Sequence, residues 1–166
     1  IVVTAMFIAV GVVLGFYFTV QITDFLKLGF SFIANEMTAL LFGPVVGGIM
    51  GGVTDIIKFL IKPTGPFFFG FTFNAILGAV IYGMMLYKRP ISFKRILASK
   101  IVVAVIVNLL FGTYWLHVMY GKGFIALLPA RALKQVCSVP IESVIFYITA
   151  KTLAETKVIA MIKSKN

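Results

Sequence analysis

The sequence predicts an all-α membrane protein, a bundle of six transmembrane helices with ordered outer loops. Three observations carry that prediction. Of 166 residues, 61% are hydrophobic and only 12% are charged, against about 45–50% and about 25% in a soluble domain. Mean hydropathy is +1.09. The apolar residues fall in runs separated by short polar or Gly/Pro turns. At about 20 residues per crossing, the length is used up by five to six spans. One integral membrane domain therefore occupies residues 1–166, and no soluble catalytic or nucleotide-binding domain fits beside it.

The first run, Ile1 to Val20, is long enough to span. The chain begins at Ile1 rather than Met, so a short preceding piece is expected. The run carries no small-residue cleavage pattern of a signal peptide. Ala5 and Ala9 are four apart and share a helix face, where a second helix can approach closely. That helix belongs either to the chain's own bundle or to a partner. From Gln21 to Phe30 the apolar residues approach strand-like alternation, which predicts an ordered loop over the bundle mouth. Gly43-Pro44 divides the next apolar stretch, because proline cannot donate to a continuing helix. A short helix reaching Phe42 and a Gly-rich one from Pro44 to about Leu60 result. Lys62-Pro63-Thr64-Gly65-Pro66 is a turn. The Phe67–Phe71 block opens the fourth span, which reaches about Tyr87. The fifth runs from about Ile96 to Met119. The sixth runs from about Pro129 to Glu155, with a kink expected at Pro140. Cys137, the single cysteine, excludes an internal disulfide and is expected as a buried small hydrophobe.

Net charge is +10. In a soluble protein that would point to nucleic acid. Here the cations sit between apolar runs, where anionic headgroups and the positive-inside rule account for most of them. Lys88, Arg89, Lys94 and Arg95 fall in one loop, and Lys151, Lys157, Lys163 and Lys165 near the C-terminus. Six spans place both sets on one side, predicting a cytoplasmic C-terminus. Lys27, Lys58, Lys62, Lys122, Arg131 and Lys134 then fall at the outer ends, opposed by Asp24, Glu36 and Asp55. An anionic ligand arriving from outside accounts for that surplus through steering and charge-assisted bonds. Headgroup contact by snorkelling side chains is the plainer account.

Arg131, Lys134, Gln135 and Ser138 recur at i, i+3, i+4 and i+7, a polar stripe on the last helix. Arg131 is suited to grip a carboxylate as a planar fork, with Lys134 as a point charge. Asn108, within the fifth span, needs a hydrogen-bond partner. With Tyr114, Trp115 and Arg131 it can line a pocket of apolar walls and a few polar anchors. Phe69, Phe71, Thr72 and Asn74 add stacking and polar surface. Asp55 and Lys58, three apart, either pair with each other, or Asp55 meets a ligand's amino and ring N–H groups. Glu142, near Pro140, is expected to pair with an amide such as Asn108. His117 is the only histidine, so no metal site built on His and no cofactor is expected. Phosphate-loop, HExxH and CxxC motifs are absent from the sequence, which argues against an enzyme.

These motifs resemble the S components of energy-coupling-factor (ECF) vitamin transporters, in particular the folate-specific type. The shared parts are Ala5-x-x-x-Ala9, Leu26-Lys-Leu-Gly-Phe-Ser-Phe32, Leu41-Phe-Gly-Pro44 and Asp55. Gly65-Pro-Phe-Phe-Phe-Gly-Phe-Thr72, Gly112-Thr-Tyr-Trp115, and Arg131 with Lys134 before Pro140-Ile141 complete them. Phe69 departs from the pattern, where proline is expected. The resemblance implies a six-helix subunit in the bacterial plasma membrane that binds folate from outside under its first and third outer loops. It implies a transmembrane coupling subunit (EcfT) meeting Ala5 and Ala9, and two cytoplasmic ATPases that drive toppling and release. Another vitamin, such as thiamine or riboflavin, is the nearest alternative substrate. A membrane scaffold protein is the alternative of a different class.

Overall fold

The structure, a computed structural model, describes residues 2–17, 19–23, 26–61, 67–121 and 124–155. Helix α1 (Val2–Tyr17) leads into strands β1 (Thr19–Thr23) and β2 (Leu26–Gly29). Helices α2 (Ser31–Phe42), α3 (Pro44–Ile61) and α4 (Phe69–Leu86) follow. The next rod is built from α5 (Phe93–Val103), a π-helical segment (Ala104–Phe111) and α6 (Gly112–Tyr120), and α7 (Phe124–Glu155) closes the chain.

Four of these rods are long and apolar enough to cross a membrane, at Pro44–Ile61, Phe69–Leu86, Phe93–Met119 and Leu128–Glu155. The other two are shorter than the sequence reading of six full crossings requires. α1 has 16 residues, not the 20 of the apolar run, because β-branched Thr19, Val20 and Ile22 leave the helix for a strand. β1 and β2 pair antiparallel, with Thr19 opposite Gly29 and Gln21 opposite Lys27. The alternation read between Gln21 and Phe30 is thus one arm of a hairpin. α2 has only 12 residues, about 18 Å of helix.

Gly43 ends α2 at φ +90°, a backbone state open to glycine, and its amide donates to the Ala39 carbonyl at 3.0 Å. Pro44 then opens α3 at the one helical position where a missing N–H costs nothing. The glycines of α3 bring it close to two neighbours. A Cβ on Gly47 would stand 2.8 Å from the Ala39 Cβ of α2, and one on Gly51 would stand 2.8 Å from the Ala75 carbonyl of α4. Val45, Ile49, Val53, Ile56 and Leu60 form an exposed apolar stripe on α3, the face suited to lipid.

On α1 the small residues serve two directions. Gly11 lies against Ala34 and Gly15 against Lys58, while Ala5 and Ala9 are exposed. The apolar core gathers Met37, Leu40 and Leu41 of α2, Tyr82 and Leu86 of α4, Val103, and Phe146 of α7. α7 passes through Pro129 and Pro140 and starts five residues before the predicted Pro129. Cys137 is exposed, against the expectation of burial. It adjoins Val136, itself 71% exposed, on a face of α7 turned away from the bundle, where lipid takes the place of a core. Lys62–Pro66, Lys122 and the tail lysines after Glu155 lie outside the described residues.

Candidate functional site

Helical spacing assembles a cavity of about 370 Å³ between α2, α3, α4, the π-helical segment and α7. α2 contributes Phe32, Asn35 and Glu36, at i, i+3 and i+4. α4 contributes Phe71, Asn74, Gly78 and Tyr82, which recur along one face. Asp55 comes from α3, Val107 and Asn108 from the π-helical segment, and Glu142 from α7. The wider turn of a π-helix sets Asn108 off the register of a regular helix, a distortion that recurs at functional sites.

Two bonds brace this wall. The Thr72 hydroxyl donates to the Asp55 carboxylate at 2.8 Å. The Trp115 indole N–H donates to Asn74 Oδ1 at 3.1 Å. Trp115 is the hub of an aromatic cluster, with ring centroids 5.6 Å from Phe68, 6.4 Å from Phe111 and 5.1 Å from Tyr114. Phe71 joins through Phe68 at 6.0 Å. Glycine is required at position 70, because a Cβ there would stand 2.5 Å from the Phe68 ring and 2.6 Å from Trp115.

Of the residues singled out from sequence, Asp55, Phe71, Asn74 and Asn108 line the cavity. Thr72 and Trp115 brace lining residues. Arg131 instead donates to the Gly112 carbonyl at 3.1 Å, and neither it nor Lys134 and Gln135 is on the cavity wall. Tyr114 is 49% exposed and Phe69 67% exposed. Lys58 donates to the Ser31 hydroxyl, and the Asp55–Lys58 pair is not formed. Ion pairing among the described residues centres on Lys100. Ser138, the deep end of the polar stripe, is buried with no partner for its hydroxyl among the described residues.

Sequence reasoning missed the floor. Lys100 is 2% exposed and donates to Glu36 at 2.5 Å and to Glu142 at 2.9 Å. Its ammonium also stands 4.0 Å from the centre of the Phe32 ring, a cation–π contact. Glu142 therefore pairs with a lysine rather than with Asn108, and Glu36 lies buried inside the bundle rather than at its outer end. The signal was a lone Lys within an apolar span, since an ionisable residue there needs a partner. The finished cavity combines apolar and aromatic walls, three amides and three carboxylates. Such a surface suits a flat ligand rich in N–H donors.

Comparison with known proteins extends this picture. The family model described as "ECF transporter, substrate-specific component" matches residues 1–162. The folate transporter FolT of Clostridium novyi (strain NT) is 36% identical over 143 residues, covering 86% of this chain and 83% of that protein. FolT of Leuconostoc mesenteroides is 31% identical over 131 residues, covering 75% of this chain and 71% of that one. A FolT crystal structure bound with folic acid superposes with a TM-score of 0.81 at 33% identity, over 91% of this chain and 92% of its own. With a family match running from one end of the chain almost to the other, carried on a helical bundle with this cavity at its centre, the chain belongs to the substrate-specific components of ECF transporters.

Proposed function

We propose that this chain is the folate-binding subunit of an ECF-type importer. The observation that carries the reading is its likeness, at 33% identity and TM-score 0.81, to a protein solved with folic acid. The cavity supports it. Its volume of about 370 Å³ lies within the roughly 300–1,000 Å³ of small-molecule sites. Phe71, Asn74, Asn108 and Asp55 offer a stacking face and polar anchors for the ring system, braced by Thr72 and Trp115. Phe69, Tyr114 and Lys58 lie nearer the outer ends of their helices. Arg131 and Lys134 on α7 are assigned to the ligand's carboxylates, with Arg131 exchanging its carbonyl partner for the ligand, and Gln135 is a further polar anchor for the ring system.

In this reading folate enters from outside the bacterial plasma membrane, and the C-terminus is cytoplasmic. The exposed Ala5 and Ala9 meet a transmembrane coupling subunit, EcfT. Two cytoplasmic ATPases then drive toppling and inward release. The test is thermal unfolding of the purified protein with folic acid, thiamine or riboflavin, since a ligand that binds only the native state raises stability by mass action. Folic acid alone is expected to raise the midpoint. Stabilisation by another vitamin and not by folic acid would reassign the substrate.

A further inference from the structure

The cavity floor holds more carboxyl groups than Lys100 needs. One carboxylate would neutralise Lys100, yet two are bound to it, at 2.5 and 2.9 Å, and Asp55 stands in the same cavity. Carboxyl oxygens deep in an apolar bundle are costly unless something donates to them. Two acceptor positions are unfilled. The second oxygen of Glu36 is buried and makes no hydrogen bond of full geometry among the described residues, with the Tyr82 phenol beside the carboxyl group. Glu142 gives one oxygen to Lys100, and its side chain is 26% exposed, so the other oxygen is open to the cavity it lines.

We propose that Glu142, with the free oxygen of Glu36 beside it, reads the N–H donor edge of the ligand's ring head. That edge is the 2-amino group and adjoining ring N–H of an aminopyrimidinone. The assignment rests on the folate reading and specifies how that ligand lies. A carboxylate accepts two parallel N–H bonds from such an edge. Lys100 is the positioning residue. It fixes both carboxylates and is itself fixed over the Phe32 ring. The same floor repels the ligand's glutamate tail, so the ring head goes in first and the tail stays toward the cations of the outer ends. Asp55, which likewise has one oxygen engaged, by Thr72, is the competing carboxylate.

The test measures binding to the full chain in detergent through the fluorescence of Trp115, its only tryptophan. Four ligands are compared: folic acid, pteroic acid, para-aminobenzoylglutamate, and folic acid with methyl in place of the 2-amino group. Glu142→Gln is expected to weaken folic acid and pteroic acid about 30-fold, the loss of a hydrogen bond to a charged group. The methyl analogue binds the parent weakly and should lose less than about threefold on the same substitution, having little left to lose. Para-aminobenzoylglutamate, without the ring head, is expected to be unaffected. Unchanged folic acid binding by Glu142→Gln overturns the proposal. So does an equal loss for folic acid and its methyl analogue, which would mark a structural role. If Glu142→Gln fails to give a monodisperse protein, Glu142→Asp, which keeps the charge and draws it back, is held to the same selectivity. A parent chain that does not bind folic acid overturns the functional reading as well, which separates the two failures.

Discussion

Lys100 is the residue on which the inner half of the bundle depends. Its ammonium joins α5 to Glu36 of α2 and Glu142 of α7, and its side chain is almost wholly buried. Removing one member of a buried ion cluster leaves the others uncompensated. Lys100→Met is therefore expected to cost about 3–5 kcal/mol, read as a lowered unfolding midpoint in detergent. A midpoint within a degree or two of the parent would show that the carboxylates find compensation elsewhere. Gly70 is the second such position. A methyl group there meets Phe68 and Trp115 at 2.5 and 2.6 Å, so Gly70→Ala must displace the indole from Asn74. The expected result is folic acid affinity reduced by about tenfold or more, with far smaller loss of stability. Equal affinity for the two proteins would remove Trp115 from the site's support.

At the scale of elements, glycine sets how near α3 can come to α4. The tightest approach is at Gly83, where a Cβ would lie 2.4 Å from the Pro44 Cα. That neighbour is backbone at the start of a helix and cannot swing away. Gly83→Ala is expected to separate the two helices and destabilise by at least about 1–3 kcal/mol, the cost of overpacking. Gly78→Ala is its control. The same methyl group there meets only Val103 Cγ1 at 3.6 Å, an ordinary contact, and stability should change little. Thermal unfolding of the two variants side by side checks the contrast.

For the whole molecule, the arrangement of α1 separates two tasks. Its glycines face the bundle and its alanines Ala5 and Ala9 face outward. A partner helix packs closely only on small side chains. Ala5→Leu with Ala9→Leu is expected to leave stabilisation by folic acid unchanged and to abolish co-purification with a transmembrane coupling subunit and its ATPases. Retention of the complex by the double variant would move the interface to another face.

Composition and punctuation by themselves determined the class. An apolar fraction this high demands lipid, and Gly43-Pro44, the Lys62–Pro66 turn and the Lys88–Pro90 loop mark where helices can stop. Asp55, Phe71, Asn74 and Asn108 were legible as cavity residues because polar or aromatic side chains in an apolar run need somewhere to point. Only the tertiary structure decided the rest. Lys100 and Glu36 are 64 residues apart, and no local spacing announces a pairing across that distance. Whether Ala5 and Ala9 point into the bundle or away from it could not be read from periodicity, which fixes a shared face and not what lies opposite it. Arg131, the most prominent cation in the sequence, lies on the Gly112 carbonyl, while a lysine hidden in an apolar span organises the floor. A charge in water is free to stay unpaired, but one inside the bundle settles where three helices bring it partners.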